Sequence, residues 1–314
     1  MNLSSTSKIL VTGCSGFVGS HLLKAFANSS FTVYGSSRRD ISNLSTALGV
    51  IVQYDDFLLN QPSFDGIDVL IHCATPNDVL SQGPDSGFDL AIQGFQRVLD
   101  AAVKSDIKQI YFLSTIQVYG PNLTGAITEI SPINCTNKYA LNHYFSEQLA
   151  QFYSYQYGLN ITSLRLSNVF GVPASDSVDR NTLVPFCFIN EACQAGSIVL
   201  RSSGNQTRNY VSLDSIYTAI CDAFFLPFDG YRVLNIGSSW CTSIKDIALM
   251  CQEAFHSSFN KDVDIRFMSE LPSEGEVFKF SSNLPIPWQD QASTRKSMYE
   301  TICNLIMIKL NTLT

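Results

Sequence analysis

Short apolar runs alternate with longer stretches of helical periodicity through the first half of the chain. Lys8-Ile9-Leu10-Val11 predicts a strand, and His21-Leu22-Leu23-Lys24-Ala25-Phe26 a helix behind it. Apolar runs at 31–36, 50–54, 68–73, 109–114 and 161–166 predict further strands. Apolar positions recur with helical spacing over 88–104 and 139–157, which predicts two long helices. Alternation of this kind predicts an α/β fold, a doubly wound parallel sheet with helices on both faces. Ligands of such a sheet bind beyond the carboxyl ends of its strands. From about Gly171 the pattern loses regularity, with Pro173 and Pro185 among short mixed elements. That break predicts a first domain over 1–170, with a returning segment at about 211–240, and a smaller C-terminal subdomain from 171–210 and 241–314. Ser81-Gln82-Gly83-Pro84-Asp85-Ser86-Gly87 predicts a mobile loop, and a last helix over about 294–310 is expected to pack on the second region.

Between the first strand and the first helix stands Gly13-Cys14-Ser15-Gly16-Phe17-Val18-Gly19. Three glycines three residues apart at such a junction make a phosphate cradle. The first allows a tight turn, the second lets backbone approach a pyrophosphate, and the third lets the helix pack closely. The free N–H groups and the positive end of the helix dipole then face the phosphates. The spacing is Gly-x-x-Gly-x-x-Gly, not the Gly-x-Gly-x-x-Gly of the general dinucleotide fingerprint. A merely glycine-rich turn is the alternative. As cofactor contacts the turn offers Gly13, Ser15, Gly16, Phe17, Val18 and Gly19.

Bulk properties narrow the setting. The 314 residues suffice for a large core and one or two domains. A net charge of −7 argues against a general nucleic-acid binder, whose affinity comes from neutralising phosphates. It leaves room for an anionic ligand in a locally positive pocket. The nine cysteines include no Cys-x-x-Cys pair, and Cys187 and Cys193 lack the partners a zinc site needs, so no metal is expected. Scattered thiols, no signal-peptide pattern over residues 1–7 and no apolar run of spanning length predict a cytoplasmic protein without a membrane partner.

Four more clusters follow the glycine turn in order. They are Leu113-Ser114-Thr115-Ile116-Gln117-Val118-Tyr119-Gly120, then Tyr139 with Glu147, then Leu164-Arg165-Leu166-Ser167-Asn168-Val169-Phe170-Gly171, and last Gly204-Asn205-Gln206-Thr207-Arg208-Asn209-Tyr210-Val211-Ser212-Leu213-Asp214. With these clusters the chain resembles the extended short-chain dehydrogenase/reductases, in particular the NAD-dependent epimerase/dehydratase family that modifies nucleotide sugars. The resemblance covers nearly the whole chain and weakens after about Ser257. It implies a Rossmann-like doubly wound sheet with a smaller C-terminal substrate-binding subdomain.

The resemblance also implies roles. Thr115 matches the hydroxyl that hydrogen-bonds the reacting sugar oxygen, and Tyr139 matches the tyrosine that exchanges a proton with it. The family lysine four residues after that tyrosine is His143 here. Positions i and i+4 share a helix face, so the imidazole can occupy the lysine's place. The lysine normally holds the nicotinamide ribose and lowers the tyrosine pKa by its charge. A free tyrosine has a pKa of about 10 and a histidine about 6.5, so a histidine supplies less charge at neutral pH. A neighbouring acid or a ligand phosphate would raise it. Lys138 precedes Tyr139 and points elsewhere on the helix.

At the end of the second strand an NAD enzyme carries an acidic residue for the ribose 2′-hydroxyl. This chain has Ser37, Arg38 and Arg39, and Asp40 comes too late for that role. Two guanidiniums and a hydroxyl suit a 2′-phosphate, so NADP(H) is expected, with NAD(H) as the alternative. A solvated surface turn is the competing reading of these arginines. Asp55, followed by Asp56, matches the family position near the adenine, and Cys73-Ala74-Thr75 would line the cofactor's far side.

Between Thr115 and Val118 the chain has Ile116-Gln117, where 4,6-dehydratases usually carry Asp-Glu. Without those carboxylates no group is evident to move the protons of water elimination. Two reactions remain: NADPH-dependent reduction of a 4-keto-6-deoxy nucleotide sugar, and 4-epimerisation. The Ser37-Arg38-Arg39 turn favours reduction. A tyrosine that only donates a proton also tolerates a weak cation better than one that must act as a base. A non-catalytic NADP(H)-binding relative is the alternative that His143 keeps open. The resemblance places Gln117, Asn168 and Arg208 with Thr115 on the substrate, Asn168 and Arg208 at its diphosphate. Residues 183–195 with Arg201 and Tyr210 are expected to form the nucleoside pocket. It also implies a homodimer through a four-helix contact of 88–104 and 139–157, with a monomer as the alternative.

Overall fold

The computed structural model describes residues 7–83, 87–175, 178, 180–226, 228–268, 277–283 and 288–313. The strands are β1 (Lys8–Thr12), β2 (Thr32–Ser37), β3 (Ile51–Tyr54), β4 (Val69–His72), β5 (Gln109–Thr115), β6 (Gly125–Ile127), β7 (Ile161–Leu166), β8 (Asn168–Phe170), β9 (Ser197–Leu200), β10 (Thr207–Ser212), β11 (Tyr231–Ile236), β12 (Cys241–Ser243), β13 (Asp264–Phe267) and β14 (Phe278–Phe280). The α-helices are α1 (Phe17–Ala27), α2 (Ser42–Leu48), α3 (Asp78–Gln82), α4 (Phe95–Lys104), α5 (Lys138–Tyr157), α6 (Phe186–Ala195), α7 (Leu213–Phe224), α8 (Ile244–Phe259) and α9 (Gln291–Leu313).

Seven strands form one parallel sheet in the order β11-β7-β5-β4-β1-β2-β3. Successive side chains leave a strand on opposite faces. Ile9, Val11, Val69, Ile71, Tyr111 and Leu113 therefore face one side, where they meet Leu22 and Phe26 of α1 and Ile216 and Ile220 of α7. Leu10, Leu70, Ile110 and Phe112 face the other side, against Phe95, Val98 and Leu99 of α4 and Ala150 and Tyr153 of α5. Burial on both faces is why these strands are continuous apolar runs.

After β7 the chain leaves the sheet. Strands β8, β10 and β12 form a small sheet of their own, with β10 central. A second core lies beneath it, built from Phe186 and Ile189 of α6, Ile247 and Cys251 of α8, and Met298, Ile302 and Ile306 of α9. Ser243 opens α8 with a capping box, its hydroxyl accepting the Asp246 N–H while the Asp246 carboxylate accepts the Ser243 N–H.

Several elements differ from the sequence expectation. The helix expected over 88–104 is interrupted by a π-helical turn, Leu90–Gly94, before α4 begins. Gly94 sits with its would-be Cβ 3.2 Å from Leu90 Cδ1, so the glycine leaves room for that wider turn. Helices α2 and α3 were absent from the apolar pattern because they are short, α2 burying no residue and α3 only Ser81. In the segment expected to be a mobile loop, Ser81 and Gln82 end α3, and 84–86 lie outside the described residues. Among the described residues no helix is long and apolar enough to cross a membrane.

Candidate active site

The glycine turn connects β1 to α1 at the carboxyl edge of the sheet. Gly13 has φ +63°, and a Cβ there would lie 2.7 Å from the Cys73 carbonyl carbon and the Ala74 nitrogen. The residue after β4 therefore reaches the turn only because position 13 has no side chain. A Cβ on Gly19 would lie 2.4 Å from the Gly13 carbonyl oxygen, so the third glycine seats the helix on the turn. At Gly16 a Cβ would meet only the Gly13 oxygen, at 3.2 Å, and the outer side is open. No side chain caps α1, so its first-turn N–H groups remain available to an anion. The Cys14 thiol and N–H both donate to the Ser36 carbonyl at 3.2 Å and fix the turn to β2. Burial pushes that thiol up to about 12, which keeps it neutral. Ser15 and Val18 are half-buried, while Phe17 is buried edge-on against Phe186 of α6 at 5.8 Å. These residues fit a dinucleotide pyrophosphate: an open glycine cradle under an uncapped helix end.

At the end of β2 the Ser37 hydroxyl donates to the Arg39 carbonyl and accepts the Arg39 N–H, both at 2.9 Å. This small turn leaves Arg38 and Arg39 exposed, and neither enters an ion pair among the described residues. Asp40 accepts the Ser42 N–H at 2.9 Å, which binds it to the start of α2. Asp55 accepts from Ser36 Oγ at 2.9 Å and Gln53 Nε2 at 2.7 Å. The Asp56 carboxylate accepts the Leu58 N–H at 3.0 Å and so closes its own turn. Cys73 and Thr75 are joined by a backbone bond of 2.9 Å beside Gly13.

Thr115 ends β5, the strand next to β4, and Tyr139 is the second residue of α5. Asn137 caps α5 by accepting the Ala140 N–H at 2.8 Å, and its amide donates to Gln117 Oε1 at 3.0 Å. One residue thus starts the tyrosine helix and orients Gln117. The Thr115 hydroxyl accepts the Gln117 N–H at 3.2 Å and also engages the Tyr139 phenol. Burial pushes that phenol above the ordinary tyrosine value. The Arg180 guanidinium and Thr115 pull it down, and Asp78 pushes it up.

His143 lies one turn further along α5, with its ring 4.6 Å from Tyr139 and 6.1 Å from Phe112. It is 3% exposed, and neither ring nitrogen makes a close, well-aligned hydrogen bond among the described residues, although the Leu113 backbone lies near. Burial lowers its pKa to about 4, and the Leu113 backbone offsets only part of that fall. No acid is among the groups that act on this imidazole; apolar burial dominates, and the ring is neutral at pH 7. His72 is neutral for the same reason, burial lowering it to about 3. It also has a close partner, Thr12 Oγ1 at 2.9 Å from Nδ1.

Deeper along α5, Glu147 receives Ser114 Oγ at 2.5 Å, Arg165 Nε at 3.0 Å and Arg165 Nη2 at 2.7 Å. This buried pair locks α5 against β5 and β7. On the small sheet the Asn168 amide donates to the Asn209 carbonyl at 2.9 Å, and Arg208 Nη1 to the Thr207 carbonyl at 3.0 Å. Both therefore stand on neighbouring strands of one sheet, β8 and β10. In the expected nucleoside pocket Tyr210 is 2% exposed and rests on Trp240 at 5.7 Å, so it is a core side chain, while Arg201 is exposed.

Sequence reasoning missed Arg180, Asp78 and Thr182. Arg180 Nη1 lies 3.9 Å from Asp78 Oδ1, and Thr182 Oγ1 donates to Asp78 Oδ2 at 3.3 Å. The Arg180 guanidinium carbon lies 5.5 Å over the Phe17 ring. Asn77 caps α3 by accepting the Leu80 N–H at 2.8 Å, and the Pro76-Asn77-Asp78 start was the one signal in the sequence.

A sequence model described as "NAD dependent epimerase/dehydratase family" matches residues 9–237. A UDP-N-acetyl-alpha-D-glucosaminuronate decarboxylase of Bacillus cytotoxicus is 27% identical over 288 residues, covering 84% of this chain and 85% of that protein. Among solved structures, a UDP-N-acetylglucosamine 4-epimerase of Methanobrevibacter ruminantium, in complex with UDP-N-acetylmuramic acid, superposes with a TM-score of 0.80 at 21% identity, over 99% of this chain and 100% of that one. A UDP-glucuronic acid 4-epimerase of Bacillus cereus, with UDP-glucuronic acid and NAD, gives a TM-score of 0.76 at 23% identity, over 95% and 99%.

Proposed function

The chain belongs to the NAD dependent epimerase/dehydratase family, and from that premise we propose that it is an NADPH-dependent reductase of the 4-keto group of a 4-keto-6-deoxy nucleotide-diphosphate sugar. The carrying observation is the Thr115–Tyr139 pair at the sheet edge, its phenol held protonated by burial. A phenol above its ordinary value is a proton donor at neutral pH, which is what reduction of a carbonyl needs. Thr115 positions the carbonyl oxygen, and Tyr139 gives its proton to that oxygen. When bound, the nicotinamide supplies the hydride. Ile116 and Gln117 offer no carboxylate for water elimination, which separates this chain from a dehydratase. Asn168 and Arg208 hold the substrate diphosphate, and Gln117 contacts the sugar.

The exposed Arg38 and Arg39 beside Ser37 support a preference for NADP(H) over NAD(H). We read 1–170, with the return at 211–240, as the cofactor unit and the remainder as the substrate unit. The protein works in the cytoplasm. Leu141, Phe145 and Phe152 lie exposed on one face of α5, which supports a homodimer through α4 and α5. A second reading, 4-epimerisation with NAD(P), draws on the 4-epimerases among the similar folds.

The deciding assay is NADPH consumption by the purified protein with 4-keto-6-deoxy nucleotide sugars of different bases. Stoichiometric oxidation of NADPH is expected with one of them. Interconversion of a 4-hydroxy sugar pair without net NADPH use would replace reduction by epimerisation.

A further inference from the structure

The dinucleotide groove has two walls. One is the glycine turn, and the other is the segment that follows β4, from Cys73 to Asp78. They meet where Gly13 abuts Cys73 and Ala74. A third segment, just ahead of α6, reaches both walls. The Arg180 guanidinium carbon lies 5.5 Å over the Phe17 ring on the first wall, and its Nη1 lies 3.9 Å from Asp78 Oδ1 on the second. Thr182 Oγ1 donates to Asp78 Oδ2 at 3.3 Å. A segment that touches both walls of a groove crosses it.

The crossing is firm at one end and weak at the other. At the α6 end Phe186 packs edge-on against Phe17 at 5.8 Å. The Leu183 N–H donates to the Arg180 carbonyl and the Cys187 N–H to the Leu183 carbonyl, both at 2.9 Å, which ties the segment to the helix. At the other end the contacts are two polar ones to a single carboxylate. The Asp78 side chain is 31% exposed and Thr182 is exposed. Asp78 itself begins α3, a helix of five residues that buries only Ser81. Partly solvated polar contacts of this kind break readily.

We propose that residues 180–183 form a clasp over the cofactor groove, with Asp78 as its catch, and that the dinucleotide enters and leaves only when the catch is released. Closed, the clasp keeps the dinucleotide seated; open, it lets one molecule be exchanged for the next. A reductase exchanges its cofactor at every turnover, and a catch of two weak contacts suits that need. The proposal rests on the glycine turn as the dinucleotide site, and not on any particular sugar or reaction.

The test reads the exchange itself. Binding and release of NADPH, and separately of NADH, are followed by stopped-flow fluorescence on the purified protein, release being started by a chase of excess oxidised cofactor. Asp78→Ala removes both contacts, and its entry and release rate constants are each expected to rise about fivefold, so that their ratio, the Kd, stays put. Thr182→Val removes one contact without changing any charge, and both constants should rise about twofold. Thermal melts accompany each variant, and Thr182→Val carries the test if Asp78→Ala does not fold. A gate speeds passage in both directions alike. Loss of an ordinary cofactor contact would raise release alone. Loss of a negative charge beside a polyanion would speed entry and slow release. Either pattern, or unchanged rates, or no binding of either dinucleotide, overturns the clasp. Absence of turnover on every sugar tested would count against the proposed reaction and leave these rates standing.

Discussion

The glycine turn and the Tyr139 face of α5 border the same sheet edge and are built on opposite principles. At the turn, backbone packs on backbone: Gly13 against Cys73 and Ala74, Gly19 against Gly13, and Cys14 tied to Ser36. At the tyrosine, side chains carry everything: Thr115 engages the phenol, the buried His143 ring packs beside it, and the charges of Arg180 and Asp78 act on it in opposite directions. The turn is a steric device and tolerates no added atom at Gly13 or Gly19. The tyrosine face is an electrostatic device, in which burial, Thr115, Arg180 and Asp78 together set how tightly the phenol holds its proton. Perturbing each corner by its own means tests the contrast.

The largest effect is expected at the turn. Gly13→Ala forces a Cβ to within 2.7 Å of two backbone atoms at φ +63°. The left-handed conformation and the overlap together cost about 3 kcal/mol, and backbone cannot move aside as a side chain can. Dinucleotide affinity, measured by calorimetry, should fall by about a hundredfold. An alanine here that binds cofactor normally would break the steric account.

The second effect belongs to the tyrosine face and appears as pH-dependent stability. His143 is held at about 4 in the folded protein, below the ordinary histidine value of 6.5. Between those values the unfolded chain binds the extra proton, so stability is full above about pH 6.5 and falls as pH drops toward 4. From pH 7 to pH 5 this one ring should remove about 2 kcal/mol. His72 adds to the acid sensitivity, its value being about 3. His143→Leu removes the titration and leaves His72, so denaturant melts of that variant should lose about 2 kcal/mol less than the parent over the same interval. Equal losses would mean that the ring takes up its proton in the native state and is not buried neutral.

The same contrast explains what the sequence made legible. Gly13, Gly16 and Gly19 lie within one turn of chain, so their geometry is a local matter and can be read locally. The strands were legible because both faces of the sheet are buried. The places of Thr115 and Tyr139 came from matching segments, and the structure brings them together. The charge around Tyr139 was not legible. Thr182 and Asp78 are 104 positions apart, and Arg180 stands in an aperiodic stretch. Nor could residue spacing show that His143 lies buried between Phe112 and Tyr139, since that depends on what the sheet presents to α5.

The smallest effect sharpens the comparison from inside the cofactor corner, where side chains do act. Arg38 and Arg39 stand exposed at the end of β2, and the Ser37 hydroxyl is spent on its own turn. A charged hydrogen bond to a 2′-phosphate is worth about 2 kcal/mol, and solvent screening at an exposed site reduces it. Arg38→Asp replaces that attraction by repulsion, yet one arginine remains beside it. The ratio of NADPH to NADH affinity should therefore fall by about tenfold, with little change in NADH affinity itself. High salt should shrink the difference between parent and variant, because the contact is screened. Gly13→Ala, by contrast, should lower both affinities alike and at any ionic strength, since steric overlap does not distinguish a phosphate from a hydroxyl. An Arg38→Asp protein with an unchanged ratio would reduce the two arginines to a solvated turn and return the choice of cofactor to NAD(H).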